Sequence, residues 1–446
     1  MNGLFDRVRP DDASAWRAWC TTILLALTAT LAYIDRTLLN LLVEPIKADL
    51  SLSDTQVGVL QGVAFSLFYG TLSVPIGRLA DATSRKRVIM TAMLAWSAVT
   101  AATGFATSYL TMFLCRAGVA AGEAGVSPAS GSMIADLFPR ARLALPMSVY
   151  TMSIYVGSGL ALFLGGWMIG QFEGQPTVAV PLLGEMVPWR ASFVIVGLLG
   201  IPWFLLIGVA LREPRRTEHT TYQLQRNAEG SLSIREVAGF LLRYRSFFAG
   251  HFLGFTLALA MISGMLAWMP TILIRVFSMP IEEVGRAFGL AYILCGLAGA
   301  FLGGWCSNRL SARGRRQAPL ELAMLAPLGA LACTAGLLLV DDPTLALALC
   351  GGTVFFIAPT ISLSAAAYLL VTPNRVRAQV SGLFLMVTGV LGIGTGPIIV
   401  AMITDGVFAD EGMLHYSLAA AGVVLCACML PILAYARKAM MALDLW

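Results

Sequence analysis

The chain has 446 residues, 58% hydrophobic and 12% charged, with a mean hydropathy of +0.78, whereas soluble domains carry about 25% charged residues. That balance excludes a soluble globular domain and points to an integral membrane protein. The formal charge of +5 arises from basic residues in short loops flanking apolar runs, which is no nucleic-acid surface.

The opening residues, MNGLFDRVRPDDASAW, lack an apolar core followed by a small-residue cleavage site. No removable signal peptide is expected, and the first helix directs insertion. Apolar stretches of roughly 20 residues, long enough to cross a hydrocarbon core of about 30 Å as helices, recur along the chain. Twelve are expected, centred in 18–44, 54–80, 87–106, 109–136, 144–170, 190–211, 247–275, 284–308, 318–340, 344–371, 378–404 and 413–436. Cytoplasmic loops near helix ends keep Lys and Arg. With the N-terminus inside, the inner segments hold most of the 30 basic residues, among them Arg7, Arg9, Arg78, Arg85, Lys86, Arg87, Arg140, Arg316 and Arg375. The outer side keeps only Lys47, Arg190, Arg275 and Arg286. Both termini are therefore expected in the cytoplasm.

Ionisable groups deep in a span are costly and mark functional sites by default. The first half has them. Span one carries Asp35 and Arg36 in AYIDRTLLN, and span four carries Arg116 and Glu123 in CRAGVAAGEAG. At 1.5 Å per residue, Asp35 lies roughly 13 Å and Arg116 roughly 10 Å from the outer surface, a shared level at which an Asp35–Arg116 ion pair is expected. Glu123 falls about two turns beyond Arg116, on the same face near the midplane. A carboxylate sharing an arginine can exchange a proton for a bond, the elementary act of proton-coupled transport. The alternative is a permanent pair welding two helices. Arg36 is turned about 100° from Asp35, and either an anion anchor facing the cavity or a support for the loop fits it.

Between spans two and three, GRLADATSRKR places Asp81, Arg85, Lys86 and Arg87 on a turn. After span six comes the longest polar stretch, in which Ser233 and Glu236 have capping-box spacing and Ile234, Val237, Ala238, Leu241 and Leu242 share a face. A short amphipathic helix on the inner membrane surface is expected there. Domain boundaries follow: residues 1–211 form one six-helix bundle, 212–246 a linker and 247–446 a second bundle. The halves echo each other, since 142–163 can be laid on 377–398 with Arg142 against Arg377 and Gly157 and Gly159 against Gly392 and Gly394. Parallel six-helix repeats are one transporter architecture. The eight cysteines and three histidines lack metal-site or triad spacing, so no metal, cofactor or catalytic residue is expected.

GRLADATSRKR resembles the signature of the major facilitator superfamily after its second helix, with Ser84 where the family has a glycine. That resemblance implies a gating latch of Gly77, Asp81, Arg85 and Asp136. In it Asp81 accepts hydrogen bonds from the start of a helix in the other half, and Arg85 pairs with Asp136 at the inner end of span four. YIDR, RAGVAAGEAG with IADLFPRAR, and VYTMSIYVGSGL resemble the Spinster branch of that superfamily. The branch implies proton-coupled export of lysophospholipids or sphingosine phosphate, with Asp35 and Glu123 as proton carriers and Arg36 and Arg116 as headgroup ligands. The second half lacks buried charge, so neutral partners are expected from Thr360, Ser364, Tyr368 and Thr388, with Trp268 and Phe356 as apolar wall.

The expectation is an all-α membrane protein of twelve transmembrane helices in two six-helix bundles. It is a monomeric transporter in the plasma membrane that works by alternating access on an amphipathic anionic lipid, with protons as partners and without enzymatic activity. The rival expectation is a proton-coupled symporter of small organic anions, which would also use these arginines.

Overall fold

The computed structural model describes residues 12–139, 142–172, 175–181, 183–216, 234–315, 317–373 and 376–442. Arg7, Arg9, Arg140, Arg316, Arg375 and the cap at Ser233 lie outside the described residues. Ten helices are long and apolar enough to cross a membrane. They are span 1 (Asp12–Leu41), span 2 (Asp54–Ala82), span 5 (Ala144–Gly170), span 6 (Pro188–Ala210), span 7 (Arg245–Arg275), span 8 (Ile281–Ala312), span 9 (Ala318–Leu339), span 10 (Pro343–Val371), span 11 (Arg377–Phe408) and span 12 (Leu414–Met441). Two further helical stretches, Arg85–Thr103 and Tyr109–Leu137, take the places of spans 3 and 4 and complete six helices in each bundle. Arg85–Lys86–Arg87 opens the first of these, and the second carries Arg116, Glu123 and Asp136 and breaks at 124–125.

Local chemistry sets the helix ends. Ser53 and Ser108 form capping boxes that start spans 2 and 4, and Ser84 and Asp342 cap spans 3 and 10 by accepting from the third residue of each helix. Several spans are interrupted. Span 2 breaks at Gly62, span 4 at 124–125, span 10 between Ile357 and Pro359, and span 11 contains π-helical segments at Thr388–Ile393 and Thr404–Phe408. Such breaks are tolerated in membrane helices only where protein re-satisfies the freed backbone groups. A short hairpin pairs Val178–Val180 with Gly184–Met186 between spans 5 and 6.

The bundles meet mainly where span 5 packs on span 8 and span 2 on span 11. Glycines make both crossings possible. A Cβ on Gly62 would lie 2.1 Å from the Gly394 carbonyl oxygen, and one on Gly159 would lie 2.5 Å from the Gly289 oxygen. Small residues at such crossings let helix backbones approach without a side chain between them. His251 is fully buried near the start of span 7 among Phe247, Phe255, Tyr368 and Phe384.

Candidate functional site

Spans 1, 2 and 4 bring four ionisable side chains together inside the first bundle. Asp35, Arg116 and Glu123 are at most 3% exposed, and the Arg36 side chain is 19% exposed. Arg36 is therefore the member of the group that reaches open space. Its Nη2 donates to Glu123 Oε2 at 2.6 Å. Its guanidinium also lies 4.1 Å from the Phe65 ring centroid, 4.6 Å from Tyr33 and 4.9 Å from Tyr69, all within cation–π range. Tyr33 precedes Arg36 by three positions on span 1, and Phe65 and Tyr69 are four apart on span 2, so helical spacing aims each at the same point.

The ion pair joins different residues from those expected. Arg116 does not pair with Asp35. Its Nε donates to the Leu60 carbonyl and its Nη2 to the Arg36 carbonyl, each at 3.3 Å. The break at Gly62 disrupts the helical ladder beside Leu60, and Arg116 takes up its carbonyl. Asp35 instead accepts a long 3.4 Å bond from Thr100 of span 3. A shared depth along two helix axes does not make a pair, because it says nothing about azimuth relative to the neighbouring helix. Among the described residues, Asp35 Oδ1, Arg36 Nε and Glu123 Oε1 of the cluster are buried without a hydrogen-bond partner. A hydroxyl chain adjoins it, as the Tyr69 hydroxyl donates to Ser127 Oγ at 3.0 Å and that of Tyr150 to the same oxygen at 3.4 Å.

The second bundle's expected ligands do not gather around this cluster. Thr360, Ser364 and Thr388 are buried, and each hydroxyl donates to a carbonyl one turn back on its own helix, at 2.6, 2.8 and 2.7 Å. The Tyr368 hydroxyl donates to Ser381. Trp268 is fully buried with its indole N–H on the Pro397 carbonyl at 2.8 Å, which fastens span 7 to span 11. Phe356 is partly exposed and lies over Gly329 of span 9. In this conformation these residues serve helix packing. Hydroxyls inside apolar helices ordinarily bond back to the preceding turn.

At the arginine-rich end, Arg85 is fully buried and bonded to Asp136, with Nε donating to Glu213 Oε1 at 2.8 Å and Nη2 to the Pro214 carbonyl at 2.9 Å. Burial alone would raise the Glu213 carboxyl. Donation from the Lys86 N–H, the Arg85 guanidinium and the Ser84 hydroxyl outweighs it and holds Glu213 below the ordinary glutamate range. Among the described residues, the Asp81 carboxylate makes no hydrogen bond to the second bundle. Its backbone carbonyl accepts from Arg216, which also donates to the carbonyls of Ala80 and Thr83. Gly77 faces Pro128 of span 4.

The opposite end is tied shut across the bundles by a network not foreseen from sequence. Lys47 is bonded to Asp54 and lies 2.9 Å from Glu411; Arg275 contacts Asp54 and Glu44, each at 2.7 Å. Thr55 donates to Asp405 through both its backbone N–H and its hydroxyl, at 2.8 and 2.7 Å. Among the described residues, the hydrogen bonds joining the bundles engage this end and the middle of the spans, with Asn40, Gln61 and Tyr155 completing the set. Among the described residues, the bundles are thus clasped at one end.

Residues 25–397 match the family profile described as Major Facilitator Superfamily. An MFS-type efflux pump of Mycolicibacterium smegmatis is 30% identical over 89% of this chain and 86% of its own. Protein spinster homolog 3 of Danio rerio is 28% identical over 87% and 77%, and a probable L-galactonate transporter of Escherichia coli is 26% identical over 71% and 67%. A solved bacterial homologue of the human lysosomal transporter Spinster, in an inward-facing and unoccupied conformation, superposes with a TM-score of 0.77 over 98% of both chains at 23% identity. The protein is therefore a multi-pass membrane transporter, not an enzyme, and belongs to the Major Facilitator Superfamily, with Spinster proteins among its relatives.

Proposed function

We propose that the protein is a proton-coupled transporter of an amphipathic anionic lipid, of the lysophospholipid or sphingosine phosphate class, working by alternating access in the plasma membrane as a monomer. Residues 1–211 and 247–446 are the moving bundles, 212–246 links them, and both termini are cytoplasmic. The observation that carries this reading is the buried Arg36–Glu123 pair. Arg36 is the more accessible partner and keeps an unpaired Nε, while Glu123 keeps an unpaired Oε1.

An anionic headgroup and the Glu123 carboxylate compete for one guanidinium. Protonation of Glu123 weakens its hold on Arg36 and frees it for the headgroup, and departure of the headgroup returns Arg36 to an ionised Glu123. Charge at the site then alternates between two satisfied arrangements, which avoids the penalty of a bare buried charge. Asp35, beneath Arg36 in the chain, is the second proton carrier. Arg116, tied to the carbonyls of Leu60 and Arg36, positions spans 1 and 2 and adds positive field. Asp81 and Gly77 form the arm of the inner latch that engages when the clasped end opens, braced by the Arg85–Asp136 pair already made within the first bundle.

Uptake of labelled lysophosphatidylglycerol into proteoliposomes, with and without a pH gradient, tests this. Glu123→Gln is expected to retain binding but lose the gradient response, and Arg36→Ala to lose at least tenfold in uptake, since a charge-assisted bond contributes roughly 1.5–3 kcal/mol. Lipid uptake indifferent to both substitutions would overturn the reading. A second reading, symport of small organic anions, draws support from the hydroxyls of Tyr69, Ser127 and Tyr150 beside Arg36, which suit a hydroxylated carboxylate. Gradient-driven uptake of an aldonate in place of the lipid would select it.

A further inference from the structure

Spans 7 and 12 run antiparallel along the second bundle, and a groove of about 320 Å³ opens between them at the end where span 7 begins and span 12 finishes. Its walls are Ala249, Gly250 and Leu253 from span 7 and Pro431, Ile432 and Tyr435 from span 12. Leu253 and Tyr435 are about half exposed. The floor is Gly250, where an added Cβ would meet Ala436 Cβ at 3.1 Å and the Ile432 carbonyl at 3.2 Å. The groove is separate from the Arg36–Glu123 cluster, which lies in the other bundle.

Helical spacing places a cation over each wall. Arg245, Ala249 and Leu253 are successive i, i+4 positions on one stripe of span 7. Pro431, Tyr435 and Lys438 follow an i, i+4, i+7 stripe on span 12. Arg245 and Lys438 are both exposed, and neither pairs with an acid among the described residues. Two other cations of this end are committed, Arg437 to Glu321 and Arg85 to Asp136 and Glu213. An apolar slot one helical turn from Arg245 and Lys438, two exposed cations without an acidic partner among the described residues, has the polarity of a phospholipid. Its volume lies at the small end of the ligand-pocket range of roughly 300–1,000 Å³, so part of one acyl chain enters and the headgroup stays at the mouth.

We propose that this groove seats an anionic phospholipid of the surrounding bilayer, with one acyl chain between Leu253 and Tyr435 and the phosphate between Arg245 and Lys438. Guanidinium geometry suits phosphate oxygens, and basic sites between helices at a membrane face recognise anionic headgroups. The lipid ties the beginning of span 7, which directly follows the helix Ile234–Arg243 of the linker, to the end of span 12. The inference takes only the naming of the cytoplasmic leaflet from the reading above. It is independent of the transported substrate.

Native mass spectrometry of the full chain in detergent, titrated separately with phosphatidylglycerol and phosphatidylcholine, tests it. The unaltered chain is expected to retain one phosphatidylglycerol in preference to phosphatidylcholine. Arg245→Gln with Lys438→Gln is expected to weaken phosphatidylglycerol binding about 30-fold, the combined effect of two basic residues at an anionic surface, and to leave phosphatidylcholine unchanged. Arg245→Lys with Lys438→Arg retains binding and guards against a folding defect. Ala249→Phe fills the groove without changing charge and is expected to expel the lipid. Equal binding of both lipids to the unaltered chain, undiminished phosphatidylglycerol affinity in the Gln variant, or full retention in Ala249→Phe would each overturn the proposal. Proteoliposome uptake, measured in parallel, separates this outcome from failure of the transport reading, because substitutions at Arg36 and Glu123 leave the groove untouched.

Discussion

Glu213 reports on the charge cluster around Arg85 through its titration. Its carboxyl is held below the ordinary value of 4.5 because donation from Lys86, Arg85 and Ser84 exceeds the effect of burial. A group whose folded value is depressed contributes stability that is complete above the unfolded value and disappears as pH falls through the folded one. Thermal unfolding of the purified chain is therefore expected to weaken below about pH 4.5, and Glu213→Gln to flatten that acid limb. An acid limb of unchanged steepness in the variant would remove Glu213 from the cluster. At this scale the sequence is informative about which residues matter and poor on how they pair. Asp35, Arg36, Arg116 and Glu123 stand out because charge in an apolar run is rare. Their partners depend on the rotation of span 1 against span 4, which one helix's own spacing does not contain. The aromatic cage is the clearest omission, since Tyr33, Phe65 and Tyr69 look like ordinary apolar stripe residues until Arg36 is seen among them.

Among the elements, the crossing of spans 5 and 8 depends on glycines facing each other. A Cβ on Gly159 would meet Ile293 Cγ1 at 2.3 Å and the Gly289 carbonyl at 2.5 Å, so a larger side chain must separate the bundles or distort a helix. Gly159→Val is expected to lower stability by about 1–3 kcal/mol, the usual penalty of overpacking, and to reduce transport along with it. Gly131, where an added Cβ meets nothing within 4 Å, is the control, and Gly131→Ala is expected to melt at or above the parental temperature. Equal melting of Gly159→Val and the parent would show that this crossing is loosely packed. The repeat pairing of Gly157 and Gly159 with Gly392 and Gly394 was legible in the sequence. Their function was not: Gly159 admits span 8, while a Cβ on Gly394 would meet Ser66 Oγ of span 2 at 2.4 Å. Helix breaks were equally hidden, because Gly62 is a glycine among many and only the approach of span 11 makes its lack of a Cβ decisive.

For the whole molecule, the clasped end is the strongest conformational statement. Asp54 is fully buried and shared by Lys47 of its own bundle and Arg275 of the other. Removing an acid from a buried ion group leaves cations uncompensated, at a cost of about 3 kcal/mol or more. That cost falls on the clasped state and is relieved when the bundles part, so Asp54→Asn is expected to shift the population toward opening at this end. Spin labels at Ser51 and Asp410 on a cysteine-free background should then show a longer distance by electron–electron resonance, and an unshifted distribution would exclude the network as a gate. What the sequence alone determined was the membrane class, the helix-rich two-bundle architecture, the superfamily and the residues carrying buried charge. These follow from composition, run length and local motifs, which are properties of short segments. Only the tertiary structure decided that Arg36 rather than Arg116 holds Glu123, that Thr360 and Ser364 of span 10 bond their own helix, and that Glu44, Lys47, Asp54, Arg275 and Glu411 form one network. Each of these depends on the azimuth and approach of helices distant in the chain, and hydrophobic periodicity leaves both free.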